Sequence, residues 1–174
     1  MLMLYDQLIG RTIASVQSGL PCGRIASFIV DPAKLAIELI TIHDLHGAQY
    51  LLPGDVRYIG TERVIIDAEE KLSEADELLR HQEIIHQNYS PISSKVVTES
   101  KKKLGRVTNY AIDENNWRIA KLYVTSGLFG NPLQQEQIID TGDVVNVEAN
   151  KIIVRDLRNT QKKPLTIPLP KNVA

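Results

Sequence analysis

Ser18-Gly19-Leu20-Pro21-Cys22-Gly23-Arg24-Ile25, followed by a run closing on Val30-Asp31, aligns with Ser100-Lys101-Lys102-Lys103-Leu104-Gly105-Arg106-Val107, followed by a run closing on Ile112-Asp113. The spacing between the two stretches is 82 residues. Further on, Gly54-Asp55-Val56 and Val64-Ile65-Ile66 align with Gly142-Asp143-Val144 and Ile152-Ile153-Val154 at a spacing of 88. Several short anchors in one order on two nearby spacings point to a duplicated unit, a pattern that decides architecture before any motif does. The six-residue difference is expected in the loop region Ser126-Gly127-Leu128-Phe129-Gly130-Asn131-Pro132.

Within each copy the apolar runs are short, rich in β-branched residues and bounded by turn residues, which is the pattern of strands. Strands are expected near 11–17, 24–31, 35–43, 48–53 and 63–67, and again near 94–99, 105–113, 117–125, 136–140 and 151–156. Gly23 and Gly105 open the long second strands, where a residue without Cβ can adopt positive φ or allow a close backbone approach. Asp31-Pro32 and Asp113-Glu114-Asn115-Asn116 supply the next turns. Strict alternation fails along Phe28-Ile29-Val30 and along Tyr110-Ala111-Ile112, which implies either a bulge or burial of both faces. Units of about 60 residues are too short for a two-sheet sandwich, whereas a small barrel removes exposed edges.

The fold class expected is therefore mainly β: two tandem small barrels with one linking amphipathic α-helix. The copies run from about Leu8 to Asp67 and from Ser93 to Asp156. The domain boundaries expected are 1–70 for the first barrel, 71–92 for a helical connector, 93–156 for the second barrel and 157–174 for a basic, Pro-containing tail. The helix is placed at Ser73–Gln87, with Ser73 as N-cap, acidic residues in the first turn, and Leu72, Ala75, Leu78, Leu79 and Ile85 at helical spacing.

At Gly-Arg-Ile or Gly-Arg-Val, at the strand closing on Asp31 or Asp113, and at Gly-Asp-Val before the last strand, the sequence resembles the PRC-barrel family in two tandem copies. Copy two, from Ser94 to Asp113, is the closer match. That family includes the cytoplasmic domain of the photosynthetic reaction centre H subunit and the C-terminal domain of a ribosome maturation factor. The resemblance implies small β-barrels used as binding or assembly modules without a shared catalytic centre.

Apolar residues make up 43% and charged residues 24% of the 174, which places the chain among globular rather than disordered sequences. One cysteine, Cys22, rules out an internal disulfide and any Cys-x-x-Cys site. The first residues lack the pattern of a signal peptide, and no window approaches about 18 consecutive apolar residues, so the expectation is a cytoplasmic protein with no membrane span.

No nucleophile, phosphate-loop or paired-carboxylate signature is found, so the chain is read as a non-enzyme with no catalytic residues and no cofactor. His43-Asp44-Leu45-His46 is the one cluster of metal-ligating types, but it equally describes a polar hairpin turn, and His43 and His46 are weak candidates only. Charge is more telling once divided: residues 1–67 carry net −2, residues 68–92 net −4 and residues 93–174 net +5. Lys101, Lys102, Lys103 and Arg106 form a basic hairpin able to contact phosphates or an acidic protein. Leu128 and Phe129, between two glycines, are the expected partner-facing loop, since large apolar side chains anchor interfaces. The function expected is a binding or assembly adaptor with a protein partner, the alternative being an RNA- or ribosome-associated factor working through the basic second copy. Homodimerisation through an open barrel face is left open.

Overall fold

The computed structural model describes residues 1–44, 47–126 and 135–156. In chain order these form β1 (Leu2–Leu4), α1 (Tyr5–Leu8), β2 (Thr12–Ser15), β3 (Pro21–Asp31), β4 (Ala36–His43), β5 (Ala48–Leu51), β6 (Val56–Ile59), β7 (Arg63–Ile66), β8 (Leu72–Ser73), α2 (Gln82–Gln87), β9 (Lys95–Thr98), β10 (Lys103–Asp113), β11 (Arg118–Ser126), β12 (Gln135–Asp140), β13 (Val144–Glu148) and β14 (Lys151–Val154). The protein is mainly β with short helical pieces. The strands join in one sheet path, β13-β14-β9-β10-β11-β4-β3-β2-β7-β6, from which β1, β5, β8 and β12 branch. The path does not close on itself. Where closed barrels were expected, the sheet runs open from one half into the other.

Read outward from its middle, the path has the same order in both directions. β4, β3, β2, β7 and β6 correspond to β11, β10, β9, β14 and β13, and in each half one parallel pair, β2 with β7 or β9 with β14, sits among antiparallel ones. The halves meet where Arg118 of β11 lies opposite Ala36 of β4. The Ile37 amide donates to the Trp117 carbonyl and the Ile119 amide to the Leu35 carbonyl, each at 2.8 Å. Leu35 and Trp117 both hold left-handed φ, 48° and 56°, which turns the chain into this seam.

Both explanations for the broken alternation operate. Register shifts occur in β3 between Ile25 and Ser27 and between Ile29 and Val30, and in β10 between Val107 and Asn109 and between Ala111 and Ile112. Cover comes from exchanged leading segments: β1 pairs with β10, placing Met3 opposite Ile112, while the Val30 amide donates to the carbonyl of Tyr89, 3.0 Å away in the connector. One continuous hydrophobic core results, containing Ile13, Phe28, Ile40 and Ile66 with Val96, Tyr110, Leu122 and Val154. Burying each such aliphatic side chain contributes about 1.5–3 kcal/mol. The ring of Tyr5, from α1, packs on both Phe28 and Tyr110, with centroids 6.0 and 4.8 Å apart.

The connector corrects the helix expected over Ser73–Gln87. Ser73 is no N-cap; it belongs to β8, which pairs with β5 at Tyr50–Ser73 and Leu51–Leu72. Only Gln82–Gln87 is α-helical, ended by Asn88 at φ 43°. The expected apolar stripe is not buried as one face, since Leu79 is exposed. Leu72 instead packs on the core from an extended backbone, and satisfying β5's open edge outweighs a short helix with little to bury. Among the described residues no helix is long and apolar enough to cross a membrane.

Candidate functional site

The Gly-Arg step shared by the two halves is first a structural device. Gly23 and Gly105 hold φ of 139° and 141°, and a Cβ on Gly105 would run into the carbonyl of Thr125. The following arginines reach back to the segment just before the first strand of their half: Arg24 Nη1 donates to the Gly10 carbonyl at 3.1 Å and Arg106 Nη1 to the Ser93 carbonyl at 2.8 Å. Arg106 thus spends one donor on the backbone, and the rest of its exposed guanidinium faces outward.

Lys101, Lys102 and Lys103 lie on the exposed β9–β10 hairpin. Its turn is closed by the Thr98 amide donating to the Lys102 carbonyl and the Lys101 amide to the Thr98 carbonyl, both at 2.9 Å. Lys101 holds φ 68°, where the first half has Gly19 at 71°. Ser100 Oγ donates to Asp156 Oδ1 at 2.6 Å and so ties the turn to the end of β14. The Ser100 hydroxyl, then that of Thr98, holds the Asp156 carboxyl below its ordinary pKa. The hairpin is therefore anchored, while its lysines stay in solvent.

Across the sheet, Arg106 lies opposite Lys95 on one side and Thr125 on the other, and Lys95 lies opposite Lys151. Lys95, Lys103 and Arg106 line a groove of about 460 Å³ together with Val97, Thr108 and Thr125. Among the described residues, Lys95, Lys101, Lys102, Lys103 and Arg106 make no ion pair, whereas Lys151 is paired with Glu148 at 2.8 Å. Concentrating unpaired cations around a partly aliphatic concavity suits an anionic ligand.

The first half carries the corresponding groove, about 820 Å³, in which Thr12, Gly23, Arg24 and His43 stand where the second has Lys95, Gly105, Arg106 and Thr125. Its lining is mixed in charge: Arg24 and Arg63 with Asp44 and Glu69. Cys22 also lies on it at the start of β3, half-buried, its thiol pushed up by burial and then by Glu69, which opposes thiolate formation.

The structure thus brings Lys103 and Arg106 together with Lys95 and Lys151, which sequence reasoning missed. Lys95 was legible as an outward residue of an alternating strand, but nothing local connects it to Arg106. His43 is exposed on the first groove, and His46 lies outside the described residues. No group of three or more metal-ligating side chains is found among the described residues. Leu128 and Phe129 also lie outside the described residues, as does the tail 157–174. Trp117 is half-buried against the core at the seam.

Comparison with known families finds a PRC-barrel domain at residues 85–161, a span that begins within α2 and takes in the second half. One copy is matched, and β1 to β8 lie outside it. No curated protein matches the chain.

Proposed function

We propose that the chain is a non-enzymatic binding and assembly protein built of two PRC-barrel-like copies, the first diverged from the family pattern and the second close to it. The observation that carries this reading is the pair of equivalent grooves, unlike in charge, held in one body by the β4–β11 seam. Two fixed and different binding surfaces can bridge partners, and a rigid span sets their effective concentration. The function then resides in the surfaces rather than in the fold. The proposed setting is the cytoplasm.

The test is affinity capture from native lysate on the wild-type chain, with half the sample nuclease-treated, read by mass spectrometry and RNA sequencing. The assembly reading expects a specific protein that survives nuclease treatment. Recovery of RNA alone would sink it.

The cations Lys95, Lys101, Lys102, Lys103 and Arg106, without an ion pair among the described residues, favour a second reading, an RNA- or ribosome-associated factor. It expects RNA in the capture, loss of that RNA in Lys101→Glu/Lys102→Glu/Lys103→Glu, and affinity that falls steeply with added salt as condensed counterions are no longer released at a gain. Insensitivity to both would reject it.

A further inference from the structure

The second groove is built by a bulge. Lys103 and Arg106 are three residues apart on β10, which on an uninterrupted strand would put their side chains on opposite faces. The register against β9 shifts between Lys103 and Gly105, and both side chains come to line one groove. The first half has the same shift, between Pro21 and Gly23 on β3. There, however, the ladder positions of Lys95, Lys103 and Arg106 hold Thr12, Pro21 and Arg24. At equivalent positions, one cation in the first half stands against three in the second.

Cations so placed repel. Lys95 lies directly opposite Arg106, a like-charge cross-strand pair that costs stability. Lys103 lies opposite Val97, the next residue of β9 on the Lys95 face. Among the described residues no carboxylate lines the groove. All 21 Asp and Glu residues of the sequence are described, and none pairs with Lys95, Lys103 or Arg106. The side chains of this sequence therefore give the three cations no counter-charge, whereas Asp44 and Glu69 share the first groove with Arg24 and Arg63.

The donors also have an order. The bond from Arg106 to the Ser93 carbonyl holds the guanidinium in place, and Thr125, opposite Arg106, adds a hydroxyl 3.2 Å from that of Thr108. Ammonium, guanidinium and hydroxyl donors around one concavity suit the three oxygens and double charge of a phosphomonoester. The lining has no aromatic ring on which a base would stack, which disfavours a nucleic-acid strand, and about 460 Å³ is the size of a small-molecule site.

We propose that Lys95, Lys103 and Arg106 bind the phosphate of a small, soluble phosphomonoester, with the hydroxyls of Thr108 and Thr125 donating to it and Val97 beside its aliphatic body. This goes beyond the assembly reading and does not depend on it.

The test titrates the full chain with glycerol phosphate and follows the amides of Gly105, Arg106, Thr108 and Thr125 by heteronuclear NMR. Saturation is expected, with binding that tightens as pH rises through about 6, where the ester takes its second charge. The charged groups lining the groove from β9, β10 and β11 are Lys95, Lys103 and Arg106, and Lys151 of β14, opposite Lys95, is paired with Glu148, so no histidine titrates there with the ligand. Sulfate should show no such pH dependence. Lys95→Thr, which installs the residue of the equivalent first-half position, should weaken binding about tenfold, the worth of one charge-assisted hydrogen bond, while raising the urea midpoint at low salt. Arg63→Gln, in the first groove, should leave binding unchanged. Shifts that grow without saturating, or indifference to pH or to Lys95→Thr, would each overturn the proposal. So would oligouridylate or phosphatidate vesicles that perturb the same amides more than glycerol phosphate does at equal phosphate concentration.

Discussion

Arg118 lies opposite Ala36 in the ladder that joins β11 to β4, and the two positions are 82 residues apart, the spacing that also relates Gly105 to Gly23. Each half therefore meets the other through the same position of the same strand. The reciprocal bonds, Ile37 to Trp117 and Ile119 to Leu35, follow from that symmetry. A seam of this kind couples the halves, because the core runs unbroken beneath it.

Coupling predicts that Ile37 and Ile119 amides exchange through the same opening, with protection close to that of the central core strands. Native-state hydrogen exchange at increasing denaturant checks this. Distinct opening energies for the two amides, or a two-step melt, would show that the halves open separately.

The Gly-Arg step predicts unequal costs for two like substitutions. A Cβ on Gly105 meets the backbone carbonyl of Thr125, whereas one on Gly23 first meets a side-chain methyl of Ile42 at 2.7 Å and then the His43 carbonyl at 2.9 Å. Gly105→Ala should cost at least about 3 kcal/mol and Gly23→Ala about 2 kcal/mol, both because of positive-φ backbone and main-chain contact, the first more because the main chain lies closer to its Cβ than the His43 carbonyl does at Gly23. Urea unfolding of both variants gives the comparison, and equal costs would contradict it.

Lys101 predicts a gain. It occupies the left-handed region at φ 68°, where the equivalent Gly19 sits at 71°. Lys101→Gly should stabilise the chain by about 1 kcal/mol, a rise of roughly 3 °C in melting temperature, by removing the Cβ penalty. Gly19→Ala should do the reverse. If Lys101→Gly also weakens anion binding, the cation at the tip is kept at the expense of stability.

Asp31 predicts an acid-side effect. Burial alone would raise its carboxyl, but the Lys34 ammonium 2.9 Å away and the amides of Ala33 and Lys34 outweigh burial and lower it. A carboxylate whose folded-state pKa is depressed contributes stability above its unfolded value of about 3.9, and that contribution is lost as pH falls through the lower folded value. Asp31→Asn, which keeps an acceptor for Ala33, should therefore flatten the fall in urea midpoint below about pH 4 and leave the slope above pH 5 unchanged. An unaltered acid limb would contradict the assignment.

Much of the local structure was legible. Turn residues, β-branched runs and paired glycines located ten of the strands, and the failures of alternation at Phe28–Val30 and Tyr110–Ile112 pointed to a bulge or to two-sided burial, of which the structure has both. The connector was not legible, because Leu72, Ala75, Leu78 and Leu79 satisfy a helical period as well as scattered contacts do. What decided it was an open strand edge on β5, which no local pattern records. The basic site was half legible: consecutive Lys101–Lys103 is visible in sequence, but Lys95 and Lys151 join Arg106 only through ladder pairings.

By itself the sequence determined the spacing of 82 and 88 residues, the strand positions, the glycines at positive φ and the shift of charge from first half to second. These are properties of short segments, where side-chain period, Cβ sterics and formal charge act locally. Only the tertiary structure decided that the sheet runs open through a β4–β11 seam, that each half is covered by a segment leading into the other, and that Lys95 shares one groove with Lys103 and Arg106. Those outcomes depend on which backbone edges remain unpaired once the strands exist, and edges are satisfied by partners distant in the chain.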